Sequence, residues 1–319
     1  MGNDDIQVSA VIPAYNAEHF ISETIQSILD QTWPVCEIIV VDDGSSDGTA
    51  DVAAKFPKTR VIRRPNGGQG AARNTGIHAA AGNWIGLLDH DDVWSPEKTE
   101  LQIRHIQADV GVIHGNQFED IDFGKLWHRQ VHIGPSGTLI RKKTLLDVGG
   151  FEESRAVMGV EDLNLWLKIA LTDWRFVRSE ANLFSWRATG QNQSGDDFKM
   201  SSAELATIDM IGTRVKCDPM ELARIKQASR VEYARNLIAE GRWDKAAELL
   251  QQCSPDLASR WLSIVSSLKF NRLARRDLVA WLQYIDQGRG KHVCSGNCEL
   301  PEKQRRLCMD SCRQPYARN

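Results

Sequence analysis

Three acidic residues follow a short apolar segment of the chain, and clustered carboxylates of this kind bind metal ions. Residues 84–88 are apolar and predict a buried strand, and Asp89, Asp91 and Asp92 come directly after it. Because ligands of open α/β sheets gather beyond the carboxyl ends of the strands, these acids favour Mg²⁺ or Mn²⁺ holding phosphate groups. The alternative is a polar turn that caps a helix starting near Pro96, which leaves the acids unexplained.

Two other segments carry side chains suited to a nucleotide. Acids also follow residues 37–41, where Asp43 can accept hydrogen bonds from a base or ribose and Gly44 allows a sharp turn. At the end of the first apolar segment, Tyr15 and Asn16 place an aromatic ring and an amide where a nucleobase can stack and pair. Each segment taken alone is also compatible with a plain turn.

Alternating apolar segments and helical patterns predict the elements that position these residues, namely βαβ units with a mostly parallel sheet. Strands are predicted at residues 8–13, 37–41, 60–63, 84–88 and 111–116, with extended segments at 138–141 and 175–177. Helices are predicted at residues 71–80, 96–108 and 160–171. Asn16 is the predicted N-cap of a helix between the first two strands, whose apolar face comprises Phe20, Ile21, Ile25, Ile28 and Leu29.

The composition is that of a soluble globular protein. The chain has 319 residues, of which 42% are hydrophobic and 25% charged, and it is long enough for two domains. Its first residues lack a basic segment followed by an apolar one, and no later run approaches the roughly 18 apolar residues of a membrane span. We therefore expect a cytoplasmic protein without a transmembrane anchor.

The net charge of −3 hides an uneven distribution. From Arg260 onward the chain has twelve basic and five acidic residues, so this part carries +7 and the part before it carries −10. A basic tail can contact anionic lipid headgroups at the inner face of a membrane, or an acidic partner; solvated helix faces are the alternative.

The chain after about residue 195 is predicted to be almost wholly helical. Breaks at residues 218–219, 241–242 and 254–255 separate the helices of a small domain over 196–290. Part of this domain resembles a single tetratricopeptide-like helical hairpin, through Tyr233, Leu237, Gly241, Trp243, Ala246, Ala247 and Leu249. One such repeat predicts a small bundle that can also mediate a homodimer, not a repeat array.

The last segment, residues 291–319, is a basic tail that contains four cysteines. Their spacing places each pair on one helix face, which allows a structural Zn²⁺ site, two disulfides across a hairpin, or free thiols: Cys294, Cys298, Cys308 and Cys312. Disulfides are disfavoured in a reducing cytosol.

Taken together, four segments resemble those of family 2 glycosyltransferases with the GT-A fold, in order and in spacing. The segments are Pro13-Ala14-Tyr15-Asn16, Asp42-Asp43-Gly44-Ser45, Gly70-Ala71-Ala72-Arg73-Asn74 with Gly76, and Asp89-His90-Asp91-Asp92. The resemblance covers residues 6–195. It implies an α/β fold with a GT-A type mostly parallel sheet flanked by helices, as in nucleotide-diphospho-sugar transferases, followed by a small all-α domain. The catalytic domain would span residues 1–195, with a nucleotide-sugar half at about 6–117 and an acceptor half at about 118–195.

The resemblance also implies a role for each matching residue. The base and ribose pocket would be lined by Pro13, Tyr15, Asn16 and Asp43. Arg73 would lie along the nucleotide or order the acidic loop, and Asp89 would face the ribose and sugar. Asp91 would bind the divalent cation, Mn²⁺ or Mg²⁺, that bridges the diphosphate; this cation would stabilise charge on the departing group.

A second acidic pair, Glu161 and Asp162, lies at the start of a predicted helix and matches the catalytic pair of the family. An inverting transfer needs one carboxylate to take the proton of the acceptor hydroxyl, and Asp162 is the expected base. The alternative is that both acids only complement the helix dipole, an effect of roughly 0.3–1 kcal/mol.

One segment departs from the family pattern. Many relatives carry a Tyr-Arg-x-His segment whose histidine can join the metal or the diphosphate, whereas this chain has Thr189 at that position. Arg187 can still meet phosphate oxygens. Coordination would then rest on Asp91, the diphosphate and water, with His90 as a substitute ligand, so metal affinity without nucleotide would be weak.

The sequence therefore predicts an inverting glycosyltransferase that moves a sugar from a nucleoside diphosphate, UDP by expectation, to an acceptor hydroxyl. The acceptor would be a sugar, lipid-linked or peptide acceptor in surface polysaccharide or glycoconjugate synthesis, and no nucleic acid is expected as a partner. Two alternatives remain: a nucleotidyltransferase, which typically has a glycine-rich phosphate loop after the first strand, and a non-enzymatic nucleotide-sugar-binding scaffold that uses the helical domain to bind partners.

Overall fold

A mixed β-sheet forms the centre of the first of two compact units, Met1–Asn192 and Gln193–Asn319. The computed structural model describes residues 6–115, 121–179, 183–187 and 196–253. The strands of the first unit are β1 (Val8–Ala14), β2 (Glu37–Asp42), β3 (Thr59–Arg63), β4 (Trp84–Leu87), β5 (Val93–Trp94), β6 (Val110–His114), β7 (Thr138–Arg141), β8 (Arg175–Arg178) and β9 (Phe184–Ser185). Its helices are α1 (Ile21–Leu29), α2 (Thr49–Ala53), α3 (Gln69–Ala79), α4 (Lys98–Ile103), α5 (Phe123–Trp127), α6 (Lys142–Asp147) and α7 (Glu161–Ala170), with short 3-10 helices at Pro135–Gly137 and Arg155–Val157.

The sheet has the strand order β3-β2-β1-β4-β7-β6-β8. Strands β1 to β4 pair in parallel, β7 runs antiparallel to both β4 and β6, and β8 is parallel to β6. Strands β5 and β9 form a separate antiparallel pair. The mostly parallel sheet flanked by helices that the sequence predicts is confirmed, and the carboxyl ends of β1, β2 and β4 lie at one edge.

The central strands are buried along their whole length. Every residue of β1 is buried, and so is every residue of β2 after Glu37. Strands of a parallel sheet are covered on both faces, so they consist of continuous apolar runs instead of alternating ones. This is why short apolar segments were sufficient to locate them in the sequence.

Helix α1 covers the sheet with the apolar face predicted for it. Ile21, Ile25 and Ile28 are buried in the main hydrophobic core. The predicted N-cap was wrong: the helix begins at Ile21, and Asn16 lies outside it in the left-handed region, with φ of 49°. The Asn16 side-chain oxygen accepts a hydrogen bond from the Ser46 amide at 2.9 Å, so it holds the turn after β2 and leaves the helix uncapped.

Helix α3 packs unusually close to its neighbours because it contains two glycines. A Cβ atom on Gly76 would lie 2.4 Å from Cγ1 of Val11 in β1, and one on Gly70 would lie 2.6 Å from the carbonyl oxygen of Glu152. Neither contact leaves room for a side chain. The helix therefore touches both the central strand and the segment before α7, and the residues between the glycines are held in that narrow space.

Helix α4 is shorter than the predicted helix over 96–108. It begins at Lys98 because the Ser95 amide donates to the carbonyl of Leu183 at 2.9 Å and thereby extends the pairing of β5 with β9. After Ile103 the chain leaves the helix, and the carbonyl of Gln107 accepts from Arg141 at 2.5 Å. A tertiary hydrogen bond at Ser95 thus accompanies the late start of this helix.

The second unit consists of helices over its described residues: α8 (Asp197–Arg214), α9 (Pro219–Ala239) and α10 (Trp243–Gln251). Helices α9 and α10 form the predicted helical hairpin, whose core includes Tyr233, Leu237, Ala246 and Leu249. Gly241 makes the turn with φ of 78°, and the Arg242 amide donates to the carbonyl of Leu237 at 2.8 Å. The hydroxyl of Tyr233 donates to Glu204 in α8 at 3.0 Å and joins the hairpin to that helix.

Several sequence predictions concern residues outside the described ranges. These are the part of the helical domain after residue 253, the basic tail with its four cysteines, Thr189, and residues 118–120 of the acceptor half. Among the described helices, none combines the length and the apolar character that crossing a bilayer requires.

The last residue of β6, His114, makes the stability of the first unit sensitive to pH. Burial lowers its pKa to about 4, and Arg178 adds to this effect. In the unfolded chain a histidine has a pKa near 6.5, so below about pH 6.5 the unfolded chain takes up a proton that the folded chain does not. The folded state therefore loses stability as the pH falls from about 6.5 towards about 4.

We expect the substitution His114→Gln to remove this dependence. Between pH 7.5 and pH 5.0, the wild-type chain should lose about 2 kcal/mol of unfolding free energy relative to the variant, as measured by urea unfolding at both values. His19→Gln is the control, because the His19 side chain is 84% exposed. An equal loss in the wild-type and His114→Gln chains would contradict the assignment.

Candidate active site

The predicted site residues meet where strands β1, β2 and β4 end. Tyr15 follows β1, Asp43 follows β2, and Asp89 comes two residues after β4. His90 reaches back to β1: its Nδ1 donates to the carbonyl of Pro13 at 3.2 Å, so this nitrogen carries a proton. The predicted base pocket and the predicted acidic loop are therefore neighbours in space.

The loop after β1 is held by the turn after β2. The backbone amide of Asn16 donates to the Ser45 hydroxyl at 2.9 Å, and the backbone amide of Ala17 donates to the Thr49 hydroxyl at 2.7 Å. The backbone nitrogen and the side-chain oxygen of Asn16 are thus both bonded to the turn after β2, whereas Tyr15 is 48% exposed. Tyr15 can thus stack against a flat ligand, whereas Asn16 serves to fix the loop.

Asp43 uses its carboxylate to hold a neighbouring loop. The amides of Gly67 and Gly68 donate to it at 3.0 and 2.7 Å, and Arg64 lies 3.2 Å away. Gly44 is needed here, because its φ is 82° and a Cβ would lie 2.9 Å from the Asn66 amide. Asp43 therefore holds the loop of residues 64–68 at this edge of the sheet, next to the predicted base pocket.

A buried arginine joins the two acidic motifs. Arg73 Nη2 lies 2.6 Å from Asp89 Oδ1 and Nη1 lies 3.3 Å from Glu161 Oε1, while the guanidinium stacks 5.1 Å from the ring centre of Phe151. Burial lowers the pKa of Arg73, but Asp89 and Glu161 outweigh that effect and raise it above its ordinary value. Of the two roles that the sequence allows for Arg73, the contacts favour ordering the acidic loop.

The next residue of α3 fixes the segment that leads to α7. Asn74 Oδ1 accepts from the Phe151 amide at 2.8 Å, and Asn74 Nδ2 donates to the Phe151 carbonyl at 3.0 Å. Nδ2 also donates to Glu153 at 2.8 Å. The adjacent residues Arg73 and Asn74 of α3 therefore bind the start of α7 and the segment before it.

The two acids that the sequence predicts to be catalytic, Glu161 and Asp162, differ in burial and in hydrogen-bond partners. Glu161 is buried, pairs with Arg73 and accepts from the Gly159 amide at 2.6 Å. Burial raises the pKa of Glu161, which Arg73 opposes and Asp162 reinforces. Asp162 is half-buried, and its Oδ1 accepts from the Leu163 amide at 2.7 Å. Only Asp162 of this pair combines partial exposure with proximity to the bridging arginine.

The acids of the first motif also differ. Asp92 is buried and accepts from the Ser136 hydroxyl at 2.6 Å and from the Arg187 amide at 3.3 Å. Burial raises the pKa of Asp92 to about 7, although the Ser136 hydrogen bond acts against the shift. Asp91 is half-buried, and burial raises its pKa; His90 opposes the shift, and Asp89 adds to it.

The donor set fits a hard divalent cation. Asp89 and Asp91 offer carboxylate oxygens, the ligands that Mg²⁺ and Mn²⁺ prefer, and a cation would offset both the burial and the repulsion from Asp89 that raise the pKa of Asp91. Within the described part of the chain, no group of three or more candidate metal-binding side chains converges. A bound diphosphate and water could supply further ligands.

The side chain of Arg187 lies on α1. Its Nη1 is 2.9 Å from Glu23, and its guanidinium is 5.6 Å from the ring centre of Phe20. The prediction that Arg187 meets phosphate oxygens rests on the sequence alone. Its backbone amide holds Asp92, so the segment after β9 is fixed against the acidic loop.

Sequence reasoning missed two groups that shape the site. The backbone amides of Gly67 and Gly68 carry no side chain that could mark them, and Ser136 lies outside the segments that resemble the family. A glycine pair before a helix could have signalled the first group. No local pattern marks Ser136, because its partners are more than forty residues away in the chain.

Comparisons with known proteins agree with this architecture. The family model described as glycosyl transferase family 2 matches residues 9–161. The chain is 40% identical over 117 residues to the Escherichia coli UDP-Glc:alpha-D-GlcNAc-diphosphoundecaprenol beta-1,3-glucosyltransferase WfgD. The match covers 35% of this chain and 46% of that protein. It is also 40% identical over 101 residues to the putative teichuronic acid biosynthesis glycosyltransferase TuaG of Bacillus subtilis, which covers 30% of this chain and 40% of that protein. The matched segments span less than half the length of these two relatives.

Solved structures share the fold at low sequence identity. The S. aureus TarS 1-349 structure in complex with UDP-GlcNAc has a TM-score of 0.56 and 17% identity, covering 77% of this chain and 81% of that one. The mannosyltransferase PcManGT from Pyrobaculum calidifontis in complex with GDP-Man and Mn2+ has a TM-score of 0.55 and 17% identity, covering 88% and 85%.

We expect Arg73→Ala to destabilise the first unit by about 3–5 kcal/mol, since it leaves the buried Glu161 carboxylate and the Asp89 carboxylate without their cation. Urea unfolding at neutral pH measures the loss. Arg104→Ala is the matched control: Arg104 lies 2.6 Å from Glu100, as close as Arg73 lies to Asp89, but both side chains are exposed. The control should lose at most about 1 kcal/mol, and equal losses would show that the buried bridge is unimportant.

Proposed function

We propose that the protein is a family 2 glycosyltransferase, since that family model matches residues 9–161 of its N-terminal unit, and that it transfers a sugar from a nucleoside diphosphate to an acceptor hydroxyl. One observation carries the proposal: Arg73 bridges Asp89 and Glu161, and so joins the acidic loop to the start of α7, where Asp162 follows Glu161. A transferase needs this arrangement, because the donor and the acceptor must meet between the two halves.

The proposed donor is a UDP-sugar. Tyr15 offers an exposed ring to stack on the base, beside Pro13 and the Asp43 loop. The names of one relative and one structural neighbour include a UDP-sugar, and another neighbour was solved with GDP-Man. A GDP-sugar is therefore the natural second donor to test.

The proposed cation site consists of Asp91 with Asp89. A Mn²⁺ or Mg²⁺ ion bound there would supply positive charge to the departing diphosphate. Arg73 lies 2.6 Å from Asp89 Oδ1, which leaves Oδ2 as the candidate cation ligand of this residue. Because the described part of the chain brings few candidate ligands together, we expect the cation and the nucleotide to bind together.

Asp162 is the proposed general base of an inverting transfer. Its carboxylate takes the proton of the acceptor hydroxyl while that oxygen bonds to the anomeric carbon, and the bond from this carbon to the diphosphate breaks on the opposite face. Glu161 is occupied by Arg73 and Gly159, so it is a positioning residue for this step. The products are the inverted glycoside, the nucleoside diphosphate and a proton on Asp162.

The proposed acceptor belongs to surface polysaccharide or glycoconjugate synthesis. Support comes from the names of the two relatives, one of which acts on a diphosphoundecaprenol-linked sugar and the other of which is assigned to teichuronic acid synthesis. A lipid-linked acceptor would agree with a basic tail at a membrane surface, which stays a prediction from the sequence.

The test is nucleotide release from a panel of UDP- and GDP-sugars with Mn²⁺, with and without acceptor. We expect Asp91→Ala and Asp162→Asn each to lower kcat by about 10²-fold or more, and EDTA to abolish turnover. Asp162→Asn should leave Mn²⁺-dependent UDP binding intact, whereas Asp91→Ala should weaken it. This difference separates the cation site from the base.

Asp51→Asn is the control, because this carboxylate is 78% exposed and lies on α2. Turnover that survives both test substitutions would overturn the mechanism. A wild-type chain that binds nucleotide but turns over no donor would instead favour the scaffold alternative.

A further inference from the structure

Three buried side chains hold the backbone where β7 begins. The carbonyls of residues 136, 137 and 138 accept hydrogen bonds, each at 2.9 Å, from Trp94 Nε1, Gln102 Nε2 and Lys98 Nζ, respectively. Lys98 also stacks 4.1 Å from the ring centre of Trp94. Buried polar groups are costly unless they are paired, so three successive pairings fix this backbone in one position. We call residues 136–138 the clamped segment.

The clamped segment presents one side chain to the acidic loop. The Asp89 amide donates to the Ser136 hydroxyl oxygen at 3.1 Å, and the same hydroxyl donates to Asp92 Oδ2 at 2.6 Å. Ser136 is 1% exposed, so water does not substitute for either bond. A single hydroxyl therefore links the first and last acids of the loop that contains Asp91.

We propose that Ser136 is a positioning residue that sets the cation-binding geometry of Asp89 and Asp91 from the acceptor half of the domain. This role rests on the proposed function and extends it, since no sequence motif and no comparison assigns a role to Ser136. Arg73 holds the Asp89 side chain, whereas Ser136 holds the Asp89 backbone, and the two contacts come from different elements.

The physical reason is that the two hydrogen bonds of Ser136 lie within two residues of the proposed cation ligand Asp91 in the chain. Asp91 lies between Asp89 and Asp92 in the chain, and both of these residues are tied to Ser136. Loss of the hydroxyl leaves the Asp89 amide and Asp92 Oδ2 without this partner, and the loop can then shift. Outer groups that orient metal ligands typically affect metal affinity or activity by about 10–100-fold.

The first test measures the loop itself in the full chain. Hydrogen–deuterium exchange of a peptide spanning residues 87–94 should become at least about tenfold faster in Ser136→Ala, because the Asp89 amide loses its acceptor. Ser179→Ala is the matched control, because Ser179 is also a buried serine. Its hydroxyl donates at 3.3 Å to the carbonyl of His114, the last residue of β6, and not to the acidic loop. Unchanged exchange in Ser136→Ala would overturn the proposal.

The second test measures Mn²⁺ binding in the presence of UDP or GDP, by the loss of the free-ion EPR signal. We expect Ser136→Ala to raise the half-saturating Mn²⁺ concentration by about 10–100-fold, with Ser179→Ala close to wild type. A purely structural defect would reduce the folded fraction and leave this concentration unchanged, which would overturn the positioning role. A wild-type chain that binds no Mn²⁺ with either nucleotide would overturn the proposed function, and the role of Ser136 with it.

Discussion

The buried ion pairs of Arg73 are the interaction on which the site depends. Removing a guanidinium and two carboxylates from water costs free energy, and only good geometry and further hydrogen bonds offset this cost. Arg73 meets the requirement with a planar fork that reaches Asp89 and Glu161 at once, over the ring of Phe151. The glycines of α3 let the helix approach closely enough for one side chain to reach both.

The acids of the site differ in burial and in the partners of their carboxylates. Glu161 and Asp92 are buried and occupied by protein donors, whereas Asp91 and Asp162 keep partial exposure. The buried members set the positions of their exposed neighbours along the chain. The acidic loop is thus held from two sides, through Arg73 and through Ser136.

The pocket residues show the same principle. Asn16 and Asp43 belong to segments that resemble nucleotide-binding motifs, yet most of their polar contacts in the structure go to adjacent loops. A motif residue therefore contributes to binding in two ways, either by touching the ligand or by fixing the backbone that does. Among the residues predicted for the base pocket, Tyr15 has the exposure expected of direct contact.

The mostly parallel sheet and the order of its elements could be predicted from the sequence, because buried parallel strands are continuous apolar runs and the motifs lie at their ends. Three features could be seen only in the tertiary structure: the residue at which α4 begins, the hydrogen bonds that keep Asn16 from capping α1, and which acid of each motif is buried. The reason is physical: these outcomes depend on hydrogen bonds between residues far apart in the chain, such as Ser95 with Leu183. Neighbouring acids look equivalent in the sequence, and only their three-dimensional partners separate them.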